Sequence, residues 1–167
     1  HEDCRRQRQM CIRDRVSRWS KQYRASETDN IEAMNNLIEW LPKNIPDDDE
    51  TTIVHGDYRL DNMILRNNEV IGILDWELST LGHPIADFSY HCLSWRTQEA
   101  FWDEAKLKEL GIPSEKEYME MYCKYSGKDL SKNWEFYMAF NMFKIAGILQ
   151  GILAVSYTHL RAHETSP

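Results

Sequence analysis

Residues 51–77, TTIVHGDYRLDNMILRNNEVIGILDWE, constrain the fold more than any other part of this chain. Three short apolar runs lie in this segment, at 51–54, 63–65 and 70–74. Each is too short for a helix, and β-branched side chains run through them, so each reads as a strand. Asn67-Asn68 separates the second run from the third, and asparagine accepts the positive φ that a tight turn needs, which predicts a hairpin.

The rest of the chain carries a helical period. Ile31, Met34, Leu37, Ile38 and Leu41 predict a helix over 29–41, with Asp29 and Glu32 as a capping-box-like start. Further helices are expected over 86–95 and over 97–110, the second with Thr97 as N-cap and Gly111 just past its end. Ser114-x-x-Glu117 opens another, along which Tyr118, Met121, Tyr122 and Tyr125 form a stripe, and Gly127 closes it. The last helix, over 131–154, is apolar nearly all round. Lys144 sits in its middle, at a cost of roughly 2.5–3.5 kcal/mol at a bilayer centre, and Asn141 and Gln150 add polarity. A buried core helix, with no membrane span, is the expectation. The fold class is therefore α+β and mostly α, with one short β hairpin.

A length of 167 residues is that of one ordinary domain. The 27 acidic against 20 basic residues give a charge of −7, which disfavours a nucleic-acid partner, since phosphate backbones are held by cations. The four cysteines form no C-x-x-C pair, so neither a disulfide scaffold nor a structural zinc site is expected, and a reducing, cytoplasmic setting follows. The ends differ from the middle. Residues 1–15, HEDCRRQRQMCIRDR, hold five Arg and little apolar periodicity, and residues 155–167, VSYTHLRAHETSP, show no helix or strand pattern. Both resemble translated adapters from assembled environmental reads. The expected organisation is a natural core at 16–154 between two tails. His159-x-x-x-His163 lies in the second tail without a third ligand and is set aside.

The chemistry is concentrated in His55-x-Asp57-x-x-x-x-Asn62, followed thirteen positions later by Asp75. Phosphoryl transfer needs a carboxylate near the attacking hydroxyl and oxygen ligands for magnesium on the nucleotide phosphates. Asp57 lies just past the first strand. Asn62 begins the second and Asp75 ends the third, so an antiparallel hairpin brings Asn62 and Asp75 to the same end. The first three residues at this spacing are expected by chance in roughly 0.02 chains of this length, and the added Asp lowers that to roughly 0.002.

HGDYRLDN resembles the catalytic loop shared by aminoglycoside phosphotransferases, choline kinases and, more distantly, protein kinases. LDWE resembles the metal-binding segment that is Asp-Phe-Gly in protein kinases. TTIVHGDYRLDNMI, ILDWELSTLGHPIADFSY, GIPSEKEY and NWEFYMAFNMFKIAGILQGI are similar to the phosphotransferase-like domain of acyl-CoA dehydrogenase family members 10 and 11. The resemblance covers about 16–154.

It implies a protein-kinase-like C-terminal lobe with the hairpin at its active edge. It also implies Asp57 as catalytic base, Asn62 and Asp75 as Mg2+ ligands, and ATP as phosphoryl donor. Arg59 stands where protein kinases carry a phosphate-contacting Lys, so it either stabilises transition-state charge or is an exposed loop side chain. His55 is expected to pack and hold the loop. Asp87, within Gly82-x-Pro84-x-x-Asp87, is expected to bind loop amides. Glu77 either assists the metal or caps, with capping preferred. Trp76 is expected to pack.

The implied acceptor is a small-molecule hydroxyl, extending to a hydroxyacyl-CoA, in a parent fused to an acyl-CoA dehydrogenase domain. A Gly-rich loop and a Val-Ala-Ile-Lys strand are not found. The chain is therefore expected to be a C-terminal lobe fragment without its N-terminal lobe, and nearly inactive alone. The competing expectation is a non-catalytic kinase-like binding or assembly module.

Overall fold

The structure, a computed structural model, describes residues 2–47, 50–97 and 104–164. Its described elements are α1 (Glu2–Ser26), α2 (Glu32–Trp40), β1 (Thr52–Val54), β2 (Met63–Arg66), β3 (Glu69–Ile73), β4 (Thr80–Gly82), α3 (Pro84–His91), α4 (Leu93–Thr97), α5 (Glu104–Glu109), α6 (Glu115–Ser126) and α7 (Trp134–Glu164). The molecule is mostly helical with two small antiparallel sheets. The chain divides into two units, one of His1–Asp49 with Ala139–Pro167 and one of Glu50–Met138.

In the first unit Val16, Trp19, Tyr23, Met34, Leu41, Phe140 and Phe143 are buried. The Tyr23 and Phe143 rings lie 6.4 Å apart. A Cβ on Gly147 would stand 3.7 Å from the Trp19 ring, an ordinary contact distance, so alanine would also fit there. Residues 134–156 have the length and composition of a bilayer span, with a mean hydropathy of 1.6. Asn141, Lys144 and Gln150, in the middle of the segment, are nevertheless buried in the protein. Gln150 Nε2 donates to the Ser26 carbonyl at 2.9 Å and to Thr28 Oγ1 at 2.8 Å, which satisfies a group that burial would otherwise penalise.

In the second unit β2 and β3 form the expected hairpin. Met63 faces Ile73, Arg66 faces Glu69, and an irregularity falls between Ile64 and Leu65. Asn67 and Asn68 have φ of 51° and 63°, the pair of left-handed residues that a tight hairpin turn requires. β1 pairs antiparallel with β4, Val54 facing Thr80. The sequence pattern did not indicate β4, whose residues Thr80, Leu81 and Gly82 are too few to show a period. α6 carries the capping box: Ser114 Oγ accepts from the Glu117 N–H, and Glu117 Oε2 accepts from the Ser114 N–H. Gly127 ends the helix at φ 70°.

Several expectations shift. α2 starts at Glu32 with Ile31 as N-cap and no side-chain cap bond, because the Asp29 carboxylate is engaged by Thr28 Oγ1 at 3.1 Å. The helix expected over 86–95 breaks at Cys92 into α3 and α4. Thr97 ends α4 and its hydroxyl donates back to the Leu93 carbonyl at 2.9 Å, so it is no N-cap. The helix expected over 97–110 falls partly on 98–103, outside the described residues, and is described from Glu104 to Glu109. Finally, α1 includes residues 2–15 and α7 continues to Glu164. Both stretches lack periodicity but contain neither Gly nor Pro, so intrinsic propensity does not oppose a helix there.

Candidate active site

β1 delivers the chain to a loop that is pinned from beneath by one carboxylate. The His55 N–H donates to Asp87 Oδ2, and the Gly56 N–H donates to Asp87 Oδ1 at 2.9 Å. Asp87 sits in the first turn of α3, where the helix dipole also favours a negative charge. Gly56 has φ 85°, and a Cβ there would come within 2.5 Å of the Leu78 carbonyl oxygen, so the turn admits glycine alone.

The buried His55 ring ties the loop to the hairpin. Its Nδ1 accepts from the Asp57 N–H at 3.3 Å, and its Nε2 lies 2.7 Å from the Leu74 carbonyl. An accepting Nδ1 assigns the Nε2–H tautomer, which donates to Leu74. The Trp76 ring covers this histidine at 4.8 Å, and its Nε1 donates to the Ile73 carbonyl at 2.9 Å.

Asp57 is held on both oxygens. Asn62 Nδ2 donates to Oδ2 at 2.9 Å and also to the Asp57 carbonyl at 2.9 Å. The Tyr90 hydroxyl, from α3, donates to Oδ1 at 2.8 Å. Burial first, and then the Asp57 carboxylate, push the Tyr90 hydroxyl up to about 12, so it remains a donor at neutral pH. The Arg59 guanidinium is half exposed and pairs with Asp61 Oδ2 at 2.5 Å. The Tyr90 hydroxyl and this guanidinium also influence one another electrostatically.

Asn62 closes the 3₁₀ turn Leu60–Asn62 just before β2. Its carbonyl accepts from the Leu74 N–H at 2.8 Å, which extends the ladder one step past Met63 and Ile73. Asn62 and Asp75 thus lie at the same end of the hairpin. Asp75 has φ 62° and ψ 57°, a left-handed conformation, and leads into the 3₁₀ turn Trp76–Leu78. Its side chain is exposed and makes no cap bond. Glu77 is exposed in the same turn.

The structure therefore interlocks His55, Asp57, Asn62 and Asp87, and joins Arg59 to them through Tyr90. Asp75 is brought near by backbone register, and Glu77 stays at the surface. Asn62 spends its Nδ2 on the loop, which leaves Oδ1 as an oxygen donor, and the Asp75 carboxylate is a second. Two hard oxygen donors suit Mg2+, which takes few protein ligands and completes its octahedron with water and phosphate oxygens. Among the described residues no cluster of three or more His, Cys, Asp and Glu side chains forms a closed metal cage.

Beside the loop lies a cavity of about 400 Å³, lined by His55, Tyr58, Trp76, Phe88, Tyr118 and Tyr122 among others. Phe88 and Tyr122 stack in its wall at 3.9 Å. The His91 ring packs 5.5 Å from Tyr58, and burial pushes its pKa down. Tyr90 is the site residue that sequence reasoning passed over. The available signal was its position three residues after Asp87, on the same face of one helix.

The model of the phosphotransferase enzyme family matches residues 5–122. Acyl-CoA dehydrogenase family member 10 of Mus musculus is 48% identical over 150 residues, which are 86% of this chain and 14% of that protein. Acyl-CoA dehydrogenase family member 11 of Homo sapiens is 44% identical over 144 residues, 82% of this chain and 18% of that protein. The chain thus spans less than a fifth of the length of either. A solved structure from Ralstonia eutropha JMP134, provisionally classed as an aminoglycoside phosphotransferase, matches with a TM-score of 0.77 at 49% identity, over 86% of this chain and 46% of that one. The match of family model, sequence and backbone together makes this chain a member of the phosphotransferase enzyme family, with its kinase-like fold.

Proposed function

We propose that this chain is the catalytic lobe of an ATP-dependent phosphotransferase, and that Asp57 is the group that orients and deprotonates the acceptor hydroxyl. The observation that carries the reading is the Asp57 carboxylate, held on one oxygen by Asn62 and on the other by Tyr90. In the reaction the hydroxyl oxygen bonds to the γ-phosphorus of ATP while the bond from that phosphorus to the β–γ bridging oxygen breaks. The hydroxyl proton passes to Asp57, and ADP leaves with the bonding electrons. Such transition states are loose, so a fixed carboxylate contributes chiefly by position. Arg59 is set to meet charge on the transferring group. Mg2+ held by Asn62 Oδ1 and Asp75 would offset the charge of the ATP phosphates when bound.

The cavity favours an acceptor with an apolar part over a polycation. Its walls are largely aromatic and aliphatic, and both oxygens of Asp87, the acidic residue in its lining, are engaged by backbone amides. A hydroxyacyl-CoA meets that requirement, and the names of the curated relatives make a fused acyl-CoA dehydrogenase domain the natural partner. Phosphate clamping by a Gly-rich loop and strand Lys has no counterpart in these 167 residues, so turnover by the chain alone is expected to be slow.

The test has two arms on this chain. Mn2+ with ATP should broaden amide NMR signals around Asn62 and Asp75, and Asp75→Ala should abolish the effect. A radiometric assay with ATP, Mg2+ and hydroxyacyl-CoA or aminoglycoside acceptors should give slow product with the former, lost in Asp57→Asn. No localised broadening, together with a signal unchanged by Asp57→Asn, would overturn the proposal.

A further inference from the structure

Tyr90 stands between the two side chains that the proposed reaction asks most of. Its O–H donates to Asp57 Oδ1 at 2.8 Å, and its phenolic oxygen also feels the charge of the Arg59 guanidinium. Asp57 and Arg59 are two residues apart on a loop, while Tyr90 is on α3, the helix that also carries Asp87. One helix thus holds the loop at two levels, its backbone through Asp87 and its working side chains through Tyr90.

We propose that Tyr90 is a positioning residue for phosphoryl transfer, fixing the Asp57 carboxylate and the Arg59 guanidinium in one orientation through a single bridging hydroxyl. This rests on the catalytic reading of Asp57 above.

A carboxylate on a loop turns about two side-chain torsions. Asn62 restrains one oxygen, and a second donor on the other oxygen removes the remaining rotation. The hydroxyl suits the task because it can donate to a carboxylate and accept from a guanidinium at once, whereas a backbone N–H can only donate. It keeps its proton through neutral pH, so it neither competes with Asp57 as a base nor loses the bond during turnover. Phenylalanine at this position would keep the ring packing and delete the bridge alone.

The bond itself is read first, because that reading needs no turnover. Tyrosinate absorbance or tyrosine ring NMR on this chain should place Tyr90 above the ordinary tyrosine value. Asp57→Asn should move its midpoint down towards the ordinary value of about 10. A midpoint that does not move would overturn the inference and leave the role of Asp57 untouched.

The role is read next, by single-turnover phosphotransfer. Tyr90→Phe should slow transfer about ten- to hundred-fold, the worth of a hydrogen bond to a charged group, with little change in the ATP concentration giving half the maximal rate. Adding Tyr90→Phe to Asp57→Asn should cost less than Tyr90→Phe costs alone, because the part of its effect that passes through Asp57 is already lost. If Asp57→Asn abolishes transfer while Tyr90→Phe matches the parent, this inference alone fails. If Asp57→Asn changes nothing, the catalytic reading beneath it fails as well. Far-UV circular dichroism melts of both variants show whether a loss reflects unfolding, which for Tyr90→Phe would also count against the inference.

Discussion

The loop that carries Asp57 and the turn that carries Asp75 flank the same hairpin, yet they are built in opposite ways. In the loop, side chain holds backbone and side chain holds side chain: Asp87 takes two amides, His55 reaches Leu74, and Asn62 and Tyr90 share Asp57. In the turn, the backbone does the work. Asp75 adopts a left-handed conformation and its carboxylate makes no cap bond. A group that must orient a neutral hydroxyl benefits from being fixed in advance, since position is most of what it contributes. A group that meets a metal brings its own strong electrostatics to the encounter, so the fold need only place it.

The largest way to break that comparison is Asp57→Asn. If the loop is rigid in order to present this carboxylate, phosphotransfer should fall by roughly 10²–10⁴-fold, the usual worth of a positioned proton acceptor. Single-turnover assay of the two proteins side by side is the check. The loop's bonds to α3 are the next target. Asp87→Ala leaves the His55 and Gly56 amides without their acceptor, at roughly 1–3 kcal/mol for each buried group, so urea denaturation should show a loss of about 3 kcal/mol. Asp75→Ala, with an exposed side chain, should stay within roughly 0.5 kcal/mol of the parent. Equal effects at the two aspartates would mean that the loop is not the more heavily fastened of the pair.

These contrasts also explain what the sequence made legible. Features encoded within a few residues stood out: the Asn67-Asn68 turn, because few residue pairs accept two positive φ values, and the Ser114/Glu117 box, because its partners are three apart. Features that depend on distant partners did not. β4 has a partner 26 or more residues earlier in the chain and no period of its own. Tyr90 meets Asp57 across 33 positions, and its place three residues after Asp87 is the single local hint that it faces the loop. The start of α2 differs for a related reason, since Asp29 pairs locally with Thr28 and the helix begins after Ile31. The motif His55-x-Asp57-x-x-x-x-Asn62 lies wholly within one loop, and so its members could be placed together before any fold was known.

A smaller effect should have the opposite sign. Asp75 holds a left-handed backbone that L-residues resist, and glycine does not. Asp75→Gly should therefore cost little or raise stability by up to about 0.5 kcal/mol, while the Mn2+ broadening at the hairpin end disappears. Thermal melts paired with the paramagnetic NMR experiment separate the two readouts. A clear loss of stability would show that the Asp75 side chain supports the turn, and would put the site closer to the loop in design.

The smallest effect belongs to a carboxylate that makes the same kind of bond as Asp87 in a different setting. Glu117 accepts the Ser114 backbone N–H at 2.8 Å, as Asp87 accepts loop amides, but at the surface of α6. That backbone bond first, and the Ser114 hydroxyl second, hold the Glu117 carboxyl below its ordinary value. A depressed folded-state pKa means that the unfolded chain binds the proton more readily. The cap's contribution is therefore complete above the unfolded value of about 4.3 and is lost as pH falls through the lower, folded one. Melting curves from about pH 5 downwards should show a shallow acid-side loss that Glu117→Gln removes, since Gln can keep the box without titrating. Salt should weaken the Glu117 effect more than the part-buried Asp87 bonds, because screening acts most on exposed charge. A Glu117 effect as large as that of Asp87→Ala would mean that burial is not what separates a structural carboxylate from a surface one in this fold.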